Sequence, residues 1–490
     1  MFWLIFGAVV ALVGFIYFNQ KKNEDFWKKI MAMPGPKDFP IVGTEYSLDS
    51  AEQIFDNERK YHKLYGPIFK RWSFNSAYVS LSNPEDIELL LTNSKHLEKD
   101  DSYDFLHTWL GQGLLTNRGE KWHKRRKILT PAFHFSILQD FVEIFNKEIN
   151  HLVTNIKKSY DKPYIDVVKP ITEFTLYSIG ETSFGKDLRD DPKCEVYKQA
   201  VYDFGEQFIY RLMRPWLQSS LLFNSTKVGK QSQKTVSTLH NFTNNIIRER
   251  YITLDKEQDV QFAKKRLGLL DLMIKAKYNG AAIDDIGIRE EVDTFIFAGH
   301  DTTAVALGHI LMILANEQET QEEIYQEIQA VVEDPNKLTY AELGEMKFVE
   351  RCIKEGLRLY PSAHNISRIA GEDIHTKTGY IIPKGCSVDI SIYDLHRNPE
   401  VWENPEKFDP DRFLPENISS RHPYAYIPFS AGSRNCIGQK YAMLELKAAV
   451  CGLIQNFKLD PVTKPSDMKF KADIVLRAVN EIRVKFVPRK

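Results

Sequence analysis

One cysteine near the C-terminus lies in a loop whose residues most constrain this 490-residue chain. The loop reads Phe429-Ser-Ala-Gly432-Ser-Arg434-Asn-Cys436-Ile-Gly438. Gly432 permits a tight turn, and the Arg434 guanidinium matches a carboxylate in a bidentate fork. Backbone N–H groups at the start of a following helix would stabilise a negatively charged sulfur. A small buried cysteine used for core packing is the plain alternative. The combination of fixed positions around one thiol instead favours a thiolate that acts as a ligand.

This loop resembles the haem-thiolate signature of the cytochrome P450 superfamily. The resemblance implies that Cys436 binds the iron of haem b and that dioxygen is a co-substrate. Phe429 would pack beside the cysteine loop, Arg434 would pair with a haem propionate, and Gly438 would let the backbone approach the macrocycle. A thiolate ligand pushes electron density toward dioxygen and favours O–O cleavage.

Composition sets limits on partners and compartment. The formal net charge is −1, which argues against an overall basic surface that would bind nucleic acid. The five cysteines form no C-x-x-C pair and no disulfide-style spacing, which fits reduced thiols on the cytosolic side.

The N-terminus departs from the composition of a soluble protein. Residues 1–18 are almost uninterrupted apolar sequence, and as a helix they would span roughly 27 Å. Lysines follow, so the bulk of the chain is expected to face the cytosol. We predict a transmembrane signal-anchor helix at 1–20, a basic and proline-rich linker at 21–44, and a catalytic domain at 45–490. A cleaved secretory signal is the alternative. The proline-rich run resembles the hinge of microsomal family members, which implies a single-pass protein of the endoplasmic reticulum membrane.

Helical periodicity dominates the remaining sequence, and short strand-like runs appear near 67–72, 77–81, 380–383 and 484–487. The predicted fold class is therefore mainly α with a small β-region (α+β). By resemblance it is the cytochrome P450 fold, with haem between a long central helix and the helix that follows the cysteine loop.

A long apolar stretch contains the polar run Ala298-Gly-His-Asp301-Thr302-Thr. We predict a helix that starts after Asp284 as its N-cap. Gly299 and a hydroxyl bonded to a carbonyl one turn earlier could open a groove in this helix. The resemblance implies that the groove lies over the iron, that Thr302 orients a proton, and that Asp301 links the site to solvent. The alternative to this functional interpretation is an apolar helix in which one turn happens to be polar.

Three charged residues resemble the structural triad of the superfamily. Glu355 and Arg358 are three residues apart, which places them on one helix face. The resemblance implies that Arg412, from the run Phe-Asp-Pro-Asp-Arg412-Phe, joins Glu355 and Arg358 in a buried triad. This triad would stabilise the part of the core that lies beside the haem. By itself the spacing is also that of an ordinary surface ion pair.

Further residues are expected to bind haem propionates. Trp122 and Arg126 are one helical turn apart, and the indole N–H and the guanidinium are suitable donors. Arg368 matches the family's other propionate-binding arginine.

Basic residues around the Trp122 helix suggest a docking surface: Lys121, Lys124, Arg125 and Lys127, with Lys440. A solvated helix face is the alternative. The functional interpretation is attraction of an acidic electron donor. The chain has no G-x-G-x-x-G fingerprint for binding a dinucleotide, so the electrons must come from elsewhere. The resemblance implies NADPH–cytochrome P450 reductase, with cytochrome b5 as a further donor.

Several stretches resemble family four of the superfamily, which includes fatty-acid ω-hydroxylases. They are 109–115, 122–135 and 291–303. Many members of that family carry, where this chain has Ala298, a glutamate that can be esterified to haem. We therefore predict non-covalent haem and a less strict terminal-carbon selectivity. By position in the family, the residues expected to line an apolar pocket are Phe105, Leu110, Phe295, Ala298, Ile366 and Leu476.

The predicted activity is hydroxylation of unactivated C–H bonds in hydrophobic substrates, with dioxygen and NADPH-derived electrons. Fatty acids or related lipids are the substrates that fit best, and terpenoids or foreign compounds are the alternative substrates. Two alternatives are a relative that rearranges peroxides without a reductase and a non-catalytic haem-binding membrane protein.

Overall fold

The computed structural model describes residues 2–40, 43–44, 50–159, 161–257, 268–335 and 337–489. The helices are α1 (Phe2–Lys22), α2 (Glu24–Met31), α3 (Ala51–Tyr65), α4 (Pro84–Thr92), α5 (His107–Leu110), α6 (Gly119–Leu129), α7 (Phe135–Lys157), α8 (Val168–Phe184), α9 (Lys193–Leu212), α10 (Ser220–Ser225), α11 (Lys227–Glu257), α12 (Leu269–Tyr278), α13 (Asp285–Asn316), α14 (Gln318–Val331), α15 (Tyr340–Glu345), α16 (Lys347–Leu359), α17 (Ile392–Leu395), α18 (Pro415–Ser419) and α19 (Gln439–Asn456).

The strands are short. They are β1 (Asp38–Phe39), β2 (Gly43–Thr44), β3 (Ile68–Ser73), β4 (Ser76–Leu81), β5 (Ile165–Asp166), β6 (Asn365–Ile369), β7 (Ile374–His375), β8 (Ile381–Ile382), β9 (Ser387–Ser391), β10 (Phe457–Pro461), β11 (Phe470–Lys471), β12 (Arg477–Ala478) and β13 (Arg483–Pro488). The predicted mainly α fold class is confirmed. Each of the predicted strand-like runs contains a strand, because β-branched and aromatic residues pack well on a pleated surface.

The chain divides into two compact units. The first unit comprises Met1–Tyr103, Ala363–Glu406 and Ser420–Asn435, and the second comprises Asp104–Ser362, Lys407–Ser419 and Cys436–Lys490.

The first unit contains a six-stranded sheet in the order β1-β2-β3-β4-β9-β6. β3 and β4 form an antiparallel hairpin that pairs Ile68 with Leu81, and β4 pairs with β9 in parallel. α2 packs into the core of this unit, where Trp27 makes an edge contact with Trp72 at 5.3 Å. Residues expected in a linker at 21–44 therefore include a folded helix. The predicted boundary at 44/45 borders residues 45–49, which lie outside the described residues.

The second unit is built around α13, most of whose side chains are buried. The predicted N-cap is confirmed, since the Asp284 carboxylate accepts a hydrogen bond from the Gly287 N–H at 2.8 Å. α8, α11 and α19 all pack against α13. Two small antiparallel sheets, β10-β13-β5 and β11-β12, also belong to this unit. Among the described residues, α13 also meets the length and apolarity of a membrane-crossing helix, and its burial makes it a core helix.

Candidate active site

Cys436 lies immediately before α19, in the second unit. Its side chain is exposed, whereas Cys194, Cys352, Cys386 and Cys451 are buried. Surrounding protein atoms raise the pKa of the Cys436 thiol, while the Gly438 N–H and the Arg126 guanidinium act in the opposite direction. Cys436 is thus an accessible thiol with two groups beside it that favour the thiolate, and not a core-packing cysteine.

Glycines shape the loop in two ways. Gly432 has φ +71°, and an added Cβ would lie 2.1 Å from the Leu91 carbonyl oxygen, which confirms the predicted tight turn. At Gly438 a Cβ would meet only ordinary contacts, with Phe133 at 3.8 Å and the Cys436 sulfur at 3.9 Å. Protein atoms do not require glycine at position 438, so its predicted role toward the macrocycle stays a prediction.

Arg126, whose charge acts on Cys436, and Trp122, one helical turn before it, suit a group that carries both a metal and carboxylates. Trp122 is buried on α6, and Arg126, one turn later, is half-buried. Burial lowers the pKa of Arg126, and Cys436 opposes this shift. A thiol that can ionise, an indole N–H and a guanidinium are the donors that an iron porphyrin with propionates would use.

The first unit contains a second group of cations. Arg368 is 1% exposed and donates from Nη1 to the Ser367 carbonyl at 2.8 Å. Arg434 donates to the Leu97 carbonyl at 3.1 Å. Lys99, which the sequence analysis missed, is also buried, and its pKa is well below the usual range because of burial and the charges of Arg368 and Arg434. Lys99 and Arg368 are buried and Arg434 is half-buried, so this group of basic side chains favours an anionic ligand.

The polar run on α13 adopts the predicted local hydrogen bonding. The Thr302 hydroxyl donates to the Ala298 carbonyl at 2.7 Å, and the Thr303 hydroxyl donates to the Gly299 carbonyl at 2.8 Å. Gly299 has a further reason to be glycine, because a Cβ there would lie 2.6 Å from the Ile179 side chain of α8. The glycine therefore lets two helices pack closely.

Asp301 makes a contact that sequence reasoning did not anticipate. Its two carboxylate oxygens accept hydrogen bonds from Arg477 Nη1 at 2.8 Å and Nη2 at 2.7 Å. Asp301 is 2% exposed. Asp301, the predicted link to solvent, is therefore buried and ion-paired in this structure.

Glu355, Arg358 and Arg412 come together in the second unit. Arg358 donates to both Glu355 oxygens at 2.7 Å, and both residues have no exposed surface. Arg412 Nε lies 3.3 Å from Glu355 Oε1, which also accepts the Asp409 N–H at 3.0 Å. The ordinary surface ion pair is excluded by this burial, while the role of the triad in the haem-side core stays a prediction.

The predicted pocket residues are apolar and differ in exposure. Leu110, Phe295 and Leu476 are buried in the second unit, where Phe105 and Ala298 are half-buried. Phe295 stacks on Phe133 at 5.7 Å, and Phe133 also borders Gly438. Ile366 and Phe429 belong to the first unit, Ile366 buried and Phe429 half-buried. Their role as lining residues stays a prediction.

The basic cluster needs one correction. Lys124, Lys127 and Lys440 are exposed, but Arg125 is 3% exposed and its guanidinium lies 3.9 Å from Glu291. Arg125 points into the protein because it lies on the same helix face as Trp122 and Leu129, which are also buried. It cannot belong to an exposed docking surface.

A mainly helical unit with an accessible cysteine before a helix, and with an acid–alcohol pair on a long core helix, has the arrangement expected of a haem-thiolate oxygenase. Comparison with known proteins agrees with this class. The family described as Cytochrome P450 matches residues 33–486. The chain belongs to the cytochrome P450 family.

The similar proteins carry family-four names. Cytochrome P450 4c3 of Drosophila melanogaster is 38% identical, over 98% of this chain and 93% of that protein. Cytochrome P450 4d2 of the same organism is 39% identical, over 93% and 94% respectively. Cytochrome P450 4V2 of Homo sapiens is 36% identical, over 94% and 91%. The predicted resemblance to family four is confirmed. The chain is a P450 monooxygenase, an oxidoreductase that uses haem-thiolate chemistry and dioxygen.

Proposed function

We propose that this protein hydroxylates unactivated C–H bonds of fatty acids or related lipids, with electrons that come from NADPH through a reductase. The observation that carries the oxygenase part is the exposed Cys436 thiol beside Arg126, in the same unit as the Asp301–Thr302 pair. Haem bound there would supply dioxygen activation and oxygen insertion.

The chain's own residues would contribute ligation, orientation and proton handling. Cys436 would bind the iron through its sulfur, and Trp122 and Arg126 would hold a propionate. In the first unit, Arg368 and Arg434 would supply the positive charge that a propionate requires, and Lys99 lies beside them. On α13, the Thr302 hydroxyl would orient a proton toward the reacting oxygen, with Asp301 as the donor behind it.

A carboxylate-bearing substrate is favoured by Arg211 at the C-terminal end of α9. Arg211 is 4% exposed and lies between the rings of Phe105, at 4.3 Å, and Phe223, at 4.6 Å. It donates only to neutral oxygens, those of Leu217, Gln218 and Ser220. Among the described residues it has no carboxylate within ion-pair distance. A buried cation beside a predicted pocket residue suits the carboxylate of a fatty acid.

The first experiment is product regiochemistry. The protein, reconstituted with NADPH–cytochrome P450 reductase and NADPH, is offered fatty acids of graded length beside a terpenoid and a bulky aromatic compound. Hydroxylated fatty acids as the main products would support the proposal. Hydroxylation at the terminal methyl group would show that terminal-carbon selectivity is kept with alanine at position 298. Preference for the bulky compounds would contradict it and favour hormone or xenobiotic oxidation.

The carboxylate anchor is tested by comparing a fatty acid with the fatty alcohol of equal length. Arg211→Met should raise KM for the acid about 10- to 100-fold, the worth of a hydrogen-bonded charge, and leave the alcohol little changed. Arg214→Met is the matched control, since Arg214 is half-buried at the same helix end over the Tyr210 ring. Equal losses for acid and alcohol would contradict the anchor.

The same reconstitution separates the alternatives. A monooxygenase couples NADPH use and oxygen uptake to product, whereas a peroxide-rearranging relative needs neither, and a non-catalytic haem protein forms no product.

Exposed Lys124, Lys127 and Lys440 are the proposed contacts for the reductase, and for cytochrome b5 as a further donor. Reversing Lys124 and Lys127 to glutamate should slow reductase-dependent reduction at low salt, with the deficit shrinking as salt screens the charges. Lys234→Glu, an exposed change on α11, is the control. Equal rates in all three proteins would contradict a docking role.

We place the protein in the endoplasmic reticulum membrane, single-pass, with the catalytic part in the cytosol. α1 has 21 residues and ends in Lys21 and Lys22, and Trp3, Phe15 and Phe18 on it are more than half exposed. Exposed aromatic side chains on a helix of this length suit a lipid environment. Deleting residues 2–22 should release the haem-containing protein from alkali-washed microsomes, and retention would contradict the anchor.

A further inference from the structure

The short helix α5 is held in place by a histidine from a distant part of the chain. His240 on α11 bonds through Nε2 to the Trp109 carbonyl oxygen at 2.8 Å. A carbonyl oxygen can only accept a hydrogen bond, so Nε2 carries a proton and donates it. Trp109 is 1% exposed, and its indole contacts Phe204 on α9 and Phe297 on α13, with ring centroids 4.9 Å apart in both pairs. The His240 bond thus ties α5 to α11 in addition to these two helices.

A second acceptor lies beside the same N–H. Asp293 on α13 has no exposed surface, and its Oδ2 is 3.6 Å from His240 Nε2. The other oxygen, Oδ1, accepts the Thr243 hydroxyl at 2.8 Å. Within the part of the chain that the structure describes, Oδ2 has no hydrogen-bond partner. Because Nε2 carries one hydrogen, it can make a full hydrogen bond to the Trp109 carbonyl or to Asp293, but not to both.

The charge of Asp293 decides between these two acceptors. Burial raises the pKa of Asp293 to about 8, against the effects of the Thr243 hydrogen bond and the Arg289 charge. Burial lowers the pKa of His240, so its imidazole is neutral in the same pH range. A neutral carboxyl competes weakly for the His240 N–H. An ionised carboxylate with an unsatisfied buried oxygen is a much stronger acceptor.

Other titratable groups face this pair from the neighbouring helices. On α13, Arg289 lies one turn before Asp293, with its Nε 3.8 Å from Oδ2, and the next residue is Glu290. On α9, burial and the Asp293 charge raise the pKa of Tyr197 well above its usual value, so its hydroxyl stays neutral. From α5 the contact is the Trp109 carbonyl. These groups set the electrostatic field in which Asp293 gains or loses its proton.

The segment that His240 holds carries two of the predicted pocket residues. Phe105 lies shortly before α5, and Leu110 is its last residue. Gly111 follows with φ +51°, and a Cβ there would lie 2.6 Å from the Glu290 side chain. The loop is fixed separately from His240, because the Gln112 N–H donates to Glu290 Oε1 at 3.0 Å. α5 can therefore move about the glycine while the loop after it stays attached to α13.

We propose that His240 is a latch on α5, and that Asp293 releases the latch when its free oxygen takes the His240 N–H from the Trp109 carbonyl. In the latched position, Leu110 stays in the core. In the released position, the segment 105–110 can move and let a ligand enter or leave the pocket. Loss of the Asp293 proton to solvent favours release, and no covalent bond of the ligand changes. This inference rests on the proposed pocket role of Phe105 and Leu110.

The test follows ligand exchange in the full-length, haem-loaded protein. The probe is 4-phenylimidazole, a bulky ligand of haem iron whose binding shifts the haem absorption band. Its association and dissociation rates are measured below and above pH 8, near the pKa of Asp293, in the wild type, His240→Phe and Asp293→Asn. The amide in Asp293→Asn still accepts the Thr243 hydroxyl, but its NH2 group cannot accept the His240 N–H.

Two controls separate the latch from general effects. Asp285→Asn is the matched variant, because Asp285 lies on the same helix in an exposed pair with Lys277 at 2.6 Å. Binding of carbon monoxide to the reduced protein reports on a ligand that is small enough to enter without movement of α5.

Both probe rates in the wild type should rise about fivefold as the pH passes through about 8, which is the effect of losing one hydrogen bond. His240→Phe should exchange the probe fast at every pH, and Asp293→Asn should exchange it slowly at every pH. Asp285→Asn should follow the wild type. Carbon monoxide should bind at the same rate in all four proteins.

Probe exchange that does not depend on pH in the wild type would overturn the inference, and so would a wild-type pH response in Asp293→Asn. Parallel changes in carbon monoxide binding would indicate a generally loosened pocket and would also overturn it. If His240→Phe fails to incorporate haem, Asp293→Asn alone carries the test. The probe needs neither NADPH nor a substrate. A working latch without hydroxylated lipid products would therefore overturn the proposed function alone, and the opposite result would overturn the latch alone.

Discussion

Replacing Glu355 with glutamine should destabilise the second unit far more than a single charge change on the surface. Glu355 accepts two hydrogen bonds from Arg358 and one from the Asp409 N–H, with Arg412 at 3.3 Å. Glutamine preserves the shape of the side chain and removes the charge. Two guanidinium groups would then share a neutral amide in a site without solvent.

The magnitude follows from the burial of this pair. Removing one partner of a buried ion pair costs about 3–5 kcal/mol, because the remaining charge is uncompensated. For a unit of this size, that corresponds to a lowering of Tm by about 4–7 °C. Urea unfolding of the haem-loaded protein, followed by tryptophan fluorescence, should show a lower midpoint with an unchanged slope.

Glu120→Gln is the matched control, because Glu120 and Lys124 form an exposed pair at 2.9 Å in the same unit. It should leave the midpoint unchanged. Combining Glu355→Gln with Arg358→Leu in one protein should be less destabilising than the sum of the two single changes. Equal midpoints for Glu355→Gln and Glu120→Gln would refute the reasoning.

Four further outcomes are expected. Cys436→Ala should abolish the thiolate-type spectrum of the reduced carbon-monoxide complex, and a normal spectrum would contradict the ligand assignment. Thr302→Ala should retain haem but divert electrons to hydrogen peroxide, so tight coupling in that variant would speak against its proton role. Mass spectrometry after denaturation should recover unmodified haem, since Ala298 has no carboxylate; haem left on its peptide would disprove this. Burial raises the pKa of Glu445 to about 8, so the folded state binds more protons than the unfolded state and stability should fall as pH rises from about 4.5 to 8; Glu445→Gln should flatten this dependence, which pH-resolved urea unfolding measures.

Local features of the site could be predicted because they depend on residues close together in the chain. The N-cap of α13, the hydroxyl-to-carbonyl bonds at Thr302 and Thr303, and the shared face of Glu355 and Arg358 all follow from helical spacing. The turn at Gly432 follows from backbone sterics.

Residues that act across long sequence separations could not be predicted in this way. Arg477 meets Asp301 across 176 positions, and no periodic pattern connects them. Lys99 and Arg211 look like ordinary solvated cations in the sequence, and only their burial distinguishes them. Arg125 was assigned to a surface because charge alone does not reveal which face of α6 is inward.

The sequence alone therefore determined the class of the protein, through a cysteine loop and helical motifs whose geometry is local. Tertiary structure decided which charges are buried and which carboxylate each arginine meets. The physical reason is that burial and pairing depend on how distant segments pack, and that a buried charge left without a partner is costly.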